Sequence, residues 1–181
     1  MSSKKLCIFV EGNDDKRLFD YALNQHLYKE FEHIQIITYS QKPDKLVNKY
    51  IENFKKSPKF DYIFLADLDS HSFNCIRSRI DKKMSKHPEL EKEKTIIVKE
   101  EIESWYISGI DNSFEQLKNK SLPERTDKIT KEEFDILIED VSDSRINAMI
   151  EIAKSFNCSY ACDKNSSFKY FSEKMQIKHH F

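Results

Sequence analysis

Acidic residues follow three apolar segments of this chain, at the point where each segment ends. The first segment leads into Glu11, with Asp15 four residues later; the third leads into Asp67 and Asp69; and Glu103 comes shortly after the fourth. Carboxylates that gather in one place repel each other unless a cation neutralises them, and Mg²⁺ and Mn²⁺ prefer oxygen ligands. The pattern therefore predicts a Mg²⁺ or Mn²⁺ site among the strand-end acids, which also include Asp14, Glu100 and Glu101. We use the name acidic edge for five of them: Glu11, Asp15, Asp67, Asp69 and Glu103.

Alternating strand and helix patterns explain why these residues should meet. Apolar segments typical of strands are Lys5–Val10, His33–Tyr39, Phe60–Ala66 and Thr95–Val98. Helical periodicity separates them, over Asp14–Tyr28, Leu46–Phe54 and Phe73–Met84. Because parallel strands need such crossovers, the pattern predicts an α/β fold: a Rossmann-like, mostly parallel sheet of about four strands flanked by helices. Ligand sites in such sheets form beyond the carboxyl ends of the strands, where the acidic edge is expected.

The strand signal stops near residue 110, and only helical patterns follow. A short helix through Trp105 is expected to end near Gly109. Amphipathic segments beyond it are Phe134–Ile138, Ile146–Phe156 and Phe168–Met175. We therefore expect a catalytic α/β unit over residues 1–110 and a C-terminal helical extension over residues 111–181.

The charge balance gives no global preference for an anionic partner. Thirty Lys and Arg face 31 Asp and Glu, for a formal net charge of −1, so nucleic acid would need a local basic patch. No run approaches the ~20 apolar residues that span a bilayer, and we expect a cytoplasmic protein without a membrane partner. Basic residues flank the acidic edge and are candidates for phosphate contacts: Lys16, Arg17, Arg77, Arg79, Lys82, Lys83 and Lys99.

Two segments carry a family resemblance. FVEGNDDKRLF followed by FLADLDS resembles the Toprim domain, which has Glu-Gly after its first strand and Asp-x-Asp after a later one. The spacing of Glu11 and Asp15, together with the segment VKEEIESWYISG, resembles the nuclease branch, the OLD and RloB-type proteins of anti-phage defence. The resemblance covers about the first 110 residues. It implies the Toprim variant of the Rossmann-like fold and a stand-alone, Mg²⁺-dependent nuclease that acts on DNA or RNA.

The resemblance also implies individual roles. Glu11 would be the metal-linked general acid or base, Asp67 and Asp69 the principal metal ligands, and Asp15 and Glu103 the holders of a second ion. A partner ATPase is implied as an option by related defence nucleases, and a homodimer is left open. The chain itself has no G-x-x-x-x-G-K-[ST] loop and should not hydrolyse ATP alone.

Three other interpretations stay open at this point. LADLDS also resembles the first motif of haloacid-dehalogenase-type phosphatases, although that motif opens their fold and here lies on the third strand. A receiver domain would use Asp14, Asp15, Asp67 and Lys99 for phosphoacceptor chemistry, which leaves Glu11 and Asp69 without a role. A non-catalytic module would bind nucleic acid and leave it intact.

Overall fold

Four parallel strands form the central sheet of the computed structural model, which describes residues 4–27, 30–68 and 75–177. The strands are β1 (Lys5–Val10), β2 (His33–Thr38), β3 (Phe60–Asp67) and β4 (Thr95–Val98). Their order is β2-β1-β3-β4, and β1 pairs in parallel with both β2 and β3. The predicted α/β fold with a parallel sheet is confirmed, and all four carboxyl ends lie at the same edge.

Short helices connect and cover the strands. The first begins as α1 (Asn13–Leu18) and passes through a π-helical segment (Phe19–Leu23) into α2 (Asn24–Leu27). The remaining helices are α3 (Asp44–Lys55), α4 (Ile76–Lys86), α5 (Glu103–Ser108), α6 (Lys131–Ile138), α7 (Arg145–Lys154), α8 (Cys158–Lys164) and α9 (Ser166–Lys174). Within the described ranges, no helix combines the length and the apolar character that a bilayer crossing requires.

The main helical differences from the prediction have local causes. The helix predicted from Phe73 begins at Ile76, after Cys75 at the N-cap, and Phe73 lies outside the described residues. The helix α8 was not predicted. It arises because Asn157 caps α8 by accepting a hydrogen bond from the Tyr160 N–H, while Asn165 caps α9 by accepting from the Phe168 N–H. These two caps divide one polar stretch into separate helices.

The two faces of the sheet bury different apolar clusters, as the alternation of side chains along a strand requires. One cluster contains Phe9 and Phe64 and is covered by α3 and α4. The other contains Ile8 and Leu65 and is continuous with α1, α5 and the helices beyond residue 110. Trp105 shows this continuity, since its ring lies 5.1 Å from that of Phe168, centroid to centroid. The C-terminal extension therefore shares its core with the sheet.

Candidate functional site

Glu11 and Asp67 lie side by side because their strands are neighbours. Glu11 is the first residue after β1, and Asp67 is the last residue of β3. The parallel register of β1 and β3 brings both positions to the carboxyl edge, where the Asp67 N–H points at Glu11 Oε2 from 3.4 Å. Asp69, the other predicted metal ligand of this segment, lies outside the described residues.

Glu11 is surrounded by hydrogen-bond donors and positive charge. Its Oε2 accepts a hydrogen bond from the Tyr39 hydroxyl at 2.9 Å and one from Lys83 Nζ at 3.4 Å, and Arg79 Nη2 lies 3.6 Å away. Lys83 Nζ also donates to the Tyr39 hydroxyl at 2.9 Å, and Arg79 Nε donates to the Asp67 carbonyl oxygen at 2.7 Å. Arg79 and Lys83 are both buried and lie one turn apart on α4. This helix therefore directs two cations inward, toward the acidic edge.

Tyr39 was not among the residues that the sequence analysis singled out. It directly follows β2, so its position at the carboxyl edge follows from the pairing of β2 with β1. Burial and the adjacent Glu11 charge raise the pKa of Tyr39 well above its ordinary value, which keeps the phenol protonated. It can therefore donate to Glu11 throughout the physiological pH range.

Asp15 and Asp67 lie in the opposite kind of environment. Asp15 is only 3% exposed, and its Oδ2 accepts a hydrogen bond from the Gly12 N–H at 2.9 Å. The Oδ1 atoms of Asp15 and Asp67 are buried and have no hydrogen-bond partner among the described residues. Buried polar atoms are nearly always paired, and an unpaired one costs roughly 1–3 kcal/mol, more when it is charged. These two oxygens are therefore the ones in the described acidic edge that require a ligand or a proton.

The pKa values follow from this difference in surroundings. Burial, and then the charges of Glu11 and Glu103, raise the pKa of Asp15 to about 7, although the Gly12 hydrogen bond acts in the opposite direction. Burial also raises the pKa of Asp67 well above its ordinary value, and the nearby Asp15 and Glu11 charges add to the effect. Without a cation, both carboxyls therefore tend to take up a proton.

Glu103 is brought to the site by α5 but is already paired. It is 4% exposed, and its Oε1 accepts a hydrogen bond from Arg145 Nη2 at 2.6 Å. Burial raises the pKa of Glu103, and Arg145 partly offsets the rise. Arg145 is the first residue of α7, in the C-terminal extension, and the sequence analysis did not identify it.

Asp14 takes part in the same contact. Its Oδ2 also pairs with Arg145, and its Oδ1 pairs with Arg17 at 2.5 Å. Although burial raises the pKa of Asp14, the hydrogen bonds from Arg145 and Arg17 outweigh it, and the pKa is lowered.

The predicted phosphate-binding residues fall in different places. Lys16 pairs with Asp20 at the surface, and Arg17 pairs with Asp14. Lys99 Nζ lies 3.7 Å from Asp127, in the C-terminal extension. Arg77 is exposed on α4, whereas Arg79 is buried and contacts Glu11 and Asp67 rather than the surface. Of this group, Arg79 and Lys83 are thus the residues with direct contacts to the acidic edge.

The donor set of the described residues fits a hard ion that retains much of its water. No group of three or more His, Cys, Asp or Glu side chains in residues 4–27, 30–68 and 75–177 is placed to hold a metal ion. Mg²⁺, however, commonly uses only one or two protein carboxylates and completes its shell with water and phosphate oxygens. The buried unpaired oxygens of Asp15 and Asp67 match that requirement. The residues present thus fit such an ion by their chemistry, and the charge of Asp15 is near enough to Asp67 to raise its pKa.

Comparison of the chain with protein-family models, with curated proteins and with solved structures gave no match. The comparisons thus bring no function from another protein to this chain.

Proposed function

We propose that this chain is a Mg²⁺- or Mn²⁺-dependent phosphodiesterase of the Toprim type that cleaves DNA or RNA. The observation that carries the proposal is the pair of buried carboxylate oxygens, Asp15 Oδ1 and Asp67 Oδ1, that have no partner among the described residues. A divalent cation would satisfy both oxygens and remove the repulsion between their charges. The resemblance of the surrounding segments to the Toprim nucleases agrees with this chemistry.

The residues have distinct tasks in this proposal. Asp67 and Asp15, together with Asp69, would hold the ion, which would supply charge stabilisation at the phosphate and acidify a water molecule. Glu11 accepts the proton of the attacking water, because it is held next to Asp67 and oriented by the Tyr39 hydroxyl. Lys83 Nζ and Arg79 Nη2 lie 3.4 and 3.6 Å from Glu11 Oε2 and help to fix the position of this carboxylate.

The substrate side of the proposal rests on α4. The exposed Arg77 lies on the same helix as Arg79 and Lys83, so a phosphate backbone bound at the acidic edge can contact α4 from outside. The proposal places the protein in the cytoplasm, where nucleic acid is available, and the resemblance adds a role as a defence effector. A partner ATPase belongs to the same resemblance.

The receiver alternative is less favoured by one contact. A receiver needs its late-strand lysine at the phosphoacceptor aspartate, whereas Lys99 forms its ion pair with Asp127 of the C-terminal extension. Treatment with acetyl phosphate separates the two functions, because a receiver becomes phosphorylated on Asp67 and a nuclease does not.

The test uses labelled pools of DNA and RNA with Mg²⁺ or Mn²⁺, and EDTA as the metal-free condition. We expect cleavage that EDTA abolishes and that Asp67→Asn lowers by at least about 100-fold, since a catalytic metal contributes several kcal/mol. Asp61→Asn is the matched control, because Asp61 lies near the opposite end of the same strand. Cleavage by Asp67→Asn at the wild-type rate, or no cleavage of either pool by the wild type, would contradict the proposal.

A further inference from the structure

The acidic edge divides into a part with a built-in cation and a part without one. Asp15 and Asp67 have buried oxygens without a partner among the described residues. Glu103 has Arg145 as its partner, and the adjacent Asp14 shares it. Glu103, which the sequence predicts to help hold a second ion, is therefore already in contact with a guanidinium.

Arg145 is held by contacts to three other helices. Its Nη2 donates to Glu103 Oε1 on α5, its Nε donates to Asp135 Oδ1 on α6 at 2.6 Å, and its Nη1 pairs with Asp14 on α1. Its guanidinium carbon also lies 5.6 Å from the centre of the Phe134 ring. Each of the three guanidinium nitrogens thus has a different carboxylate partner, and the planar group is fixed in both position and orientation.

The position of Arg145 in its own helix indicates that these contacts, and not helix stability, explain why an arginine is found there. Arg145 is the first residue of α7, where the helix dipole disfavours positive charge by roughly 0.3–1 kcal/mol. The cost is offset by the three carboxylates that surround it. The guanidinium keeps its charge at every relevant pH, so its neutralising effect on Glu103 and Asp14 is permanent.

We infer that Arg145 replaces the second metal ion of this active centre and that the chain holds one divalent ion, at Asp15 and Asp67. The inference rests on the proposed function. A second divalent ion at Glu103 would have to displace the guanidinium or lie beside it against strong repulsion. The C-terminal extension therefore supplies a charge to the active centre in addition to covering the sheet.

Counting bound Mn²⁺ per chain tests the inference without an activity assay. We expect electron paramagnetic resonance titration to give one Mn²⁺ for the wild type and two for Arg145→Met, because the charge that occupied the second position is gone. The double variant Arg145→Met, Glu103→Gln should return to one ion. Arg125→Met is the control and should stay at one, since Arg125 is exposed and pairs with Asp127 away from Glu103.

Each result has a defined meaning. Two ions on the wild type, or one ion on a folded Arg145→Met variant, would overturn the inference and leave the proposed function intact. No ion on the wild type would overturn the proposed function and the inference together. If Arg145→Met does not fold, the wild-type count and Arg145→Lys decide the question, since lysine keeps the charge and should hold the count at one; a count of two for Arg145→Lys would overturn the inference.

Discussion

Glu11 and Asp67 are neighbours on adjacent strands, yet their carboxylates have opposite surroundings. Glu11 Oε2 accepts from the Tyr39 hydroxyl and lies within 3.6 Å of a nitrogen of Lys83 and of Arg79. Asp67 Oδ1 is buried without a hydrogen-bond partner in the part of the chain that the structure describes. Position at the strand edge thus makes both residues candidates, and their surroundings assign them different roles: Glu11 is held by a hydroxyl donor and two cations, whereas Asp67 is left in need of a ligand.

The largest effect on stability is expected when a cationic partner of Glu11 is removed. Lys83→Met should lower the free energy of unfolding by about 2 kcal/mol, because it removes a buried cation from Glu11 and a donor from Tyr39. The loss falls below that of a fully buried pair because a third of the Glu11 side chain is exposed. Lys82→Met, on the exposed side of α4, is the control and should change the free energy of unfolding by less than about 0.5 kcal/mol. Urea denaturation of both variants measures the difference, and equal losses would show that Glu11 does not depend on Lys83.

Neutralising the two neighbours should change stability in opposite directions. In metal-free buffer, Asp67→Asn should raise the free energy of unfolding by about 1 kcal/mol, because it removes a buried carboxyl that must either bind a proton or carry a charge without a hydrogen-bond partner at Oδ1 among the described residues. Glu11→Gln should lower it by a similar amount, because it removes the carboxylate charge that Lys83 and Arg79 contact. Melting temperatures with and without Mg²⁺ provide the measurement. Mg²⁺ should raise the melting temperature of the wild type and leave that of Asp67→Asn unchanged. If Asp67→Asn and Glu11→Gln shift the metal-free melting temperature in the same direction, the different roles of the two carboxylates are contradicted.

Another effect concerns pH. The pKa of Asp15 is raised to about 7 in the folded chain, whereas an unfolded aspartate titrates near 4. Between these values the folded state binds more protons than the unfolded state. The contribution of Asp15 to the free energy of unfolding is therefore fully present below pH 4 and is lost as the pH rises toward 7. The slope from this residue should reach about 1 kcal/mol per pH unit in metal-free protein. Denaturation at pH 5 and pH 7 measures it; Asp15→Asn should flatten the slope, and an unchanged slope in that variant would assign it to other groups.

The sequence predicts the part of the site that depends on strand order. Glu11 and Asp67 could be placed together because each ends an apolar strand and parallel strands share a carboxyl edge. Tyr39 could have been placed by the same rule, since it follows β2, but a tyrosine after a strand carries no signal of its own. Arg145 could not be placed, because it lies 131 residues from Asp14 along the chain and meets it only through the packing of α7 on α1. Nor does local sequence indicate whether a carboxylate is paired, which depends on these distant residues.

Trp105 links the sheet to the C-terminal helices and is the only tryptophan of the chain. Its indole N–H donates to Ser167 Oγ at 2.8 Å, and its ring is fully buried against Phe168 and Phe171 of α9. Since no other indole contributes, the tryptophan fluorescence, excited at a wavelength that the eight tyrosines do not absorb, reports on this one contact. Emission at short wavelength corresponds to docked helices, and a shift to longer wavelength corresponds to their release into water. The chain thus contains an optical probe of whether its extension, and with it Arg145, is in place.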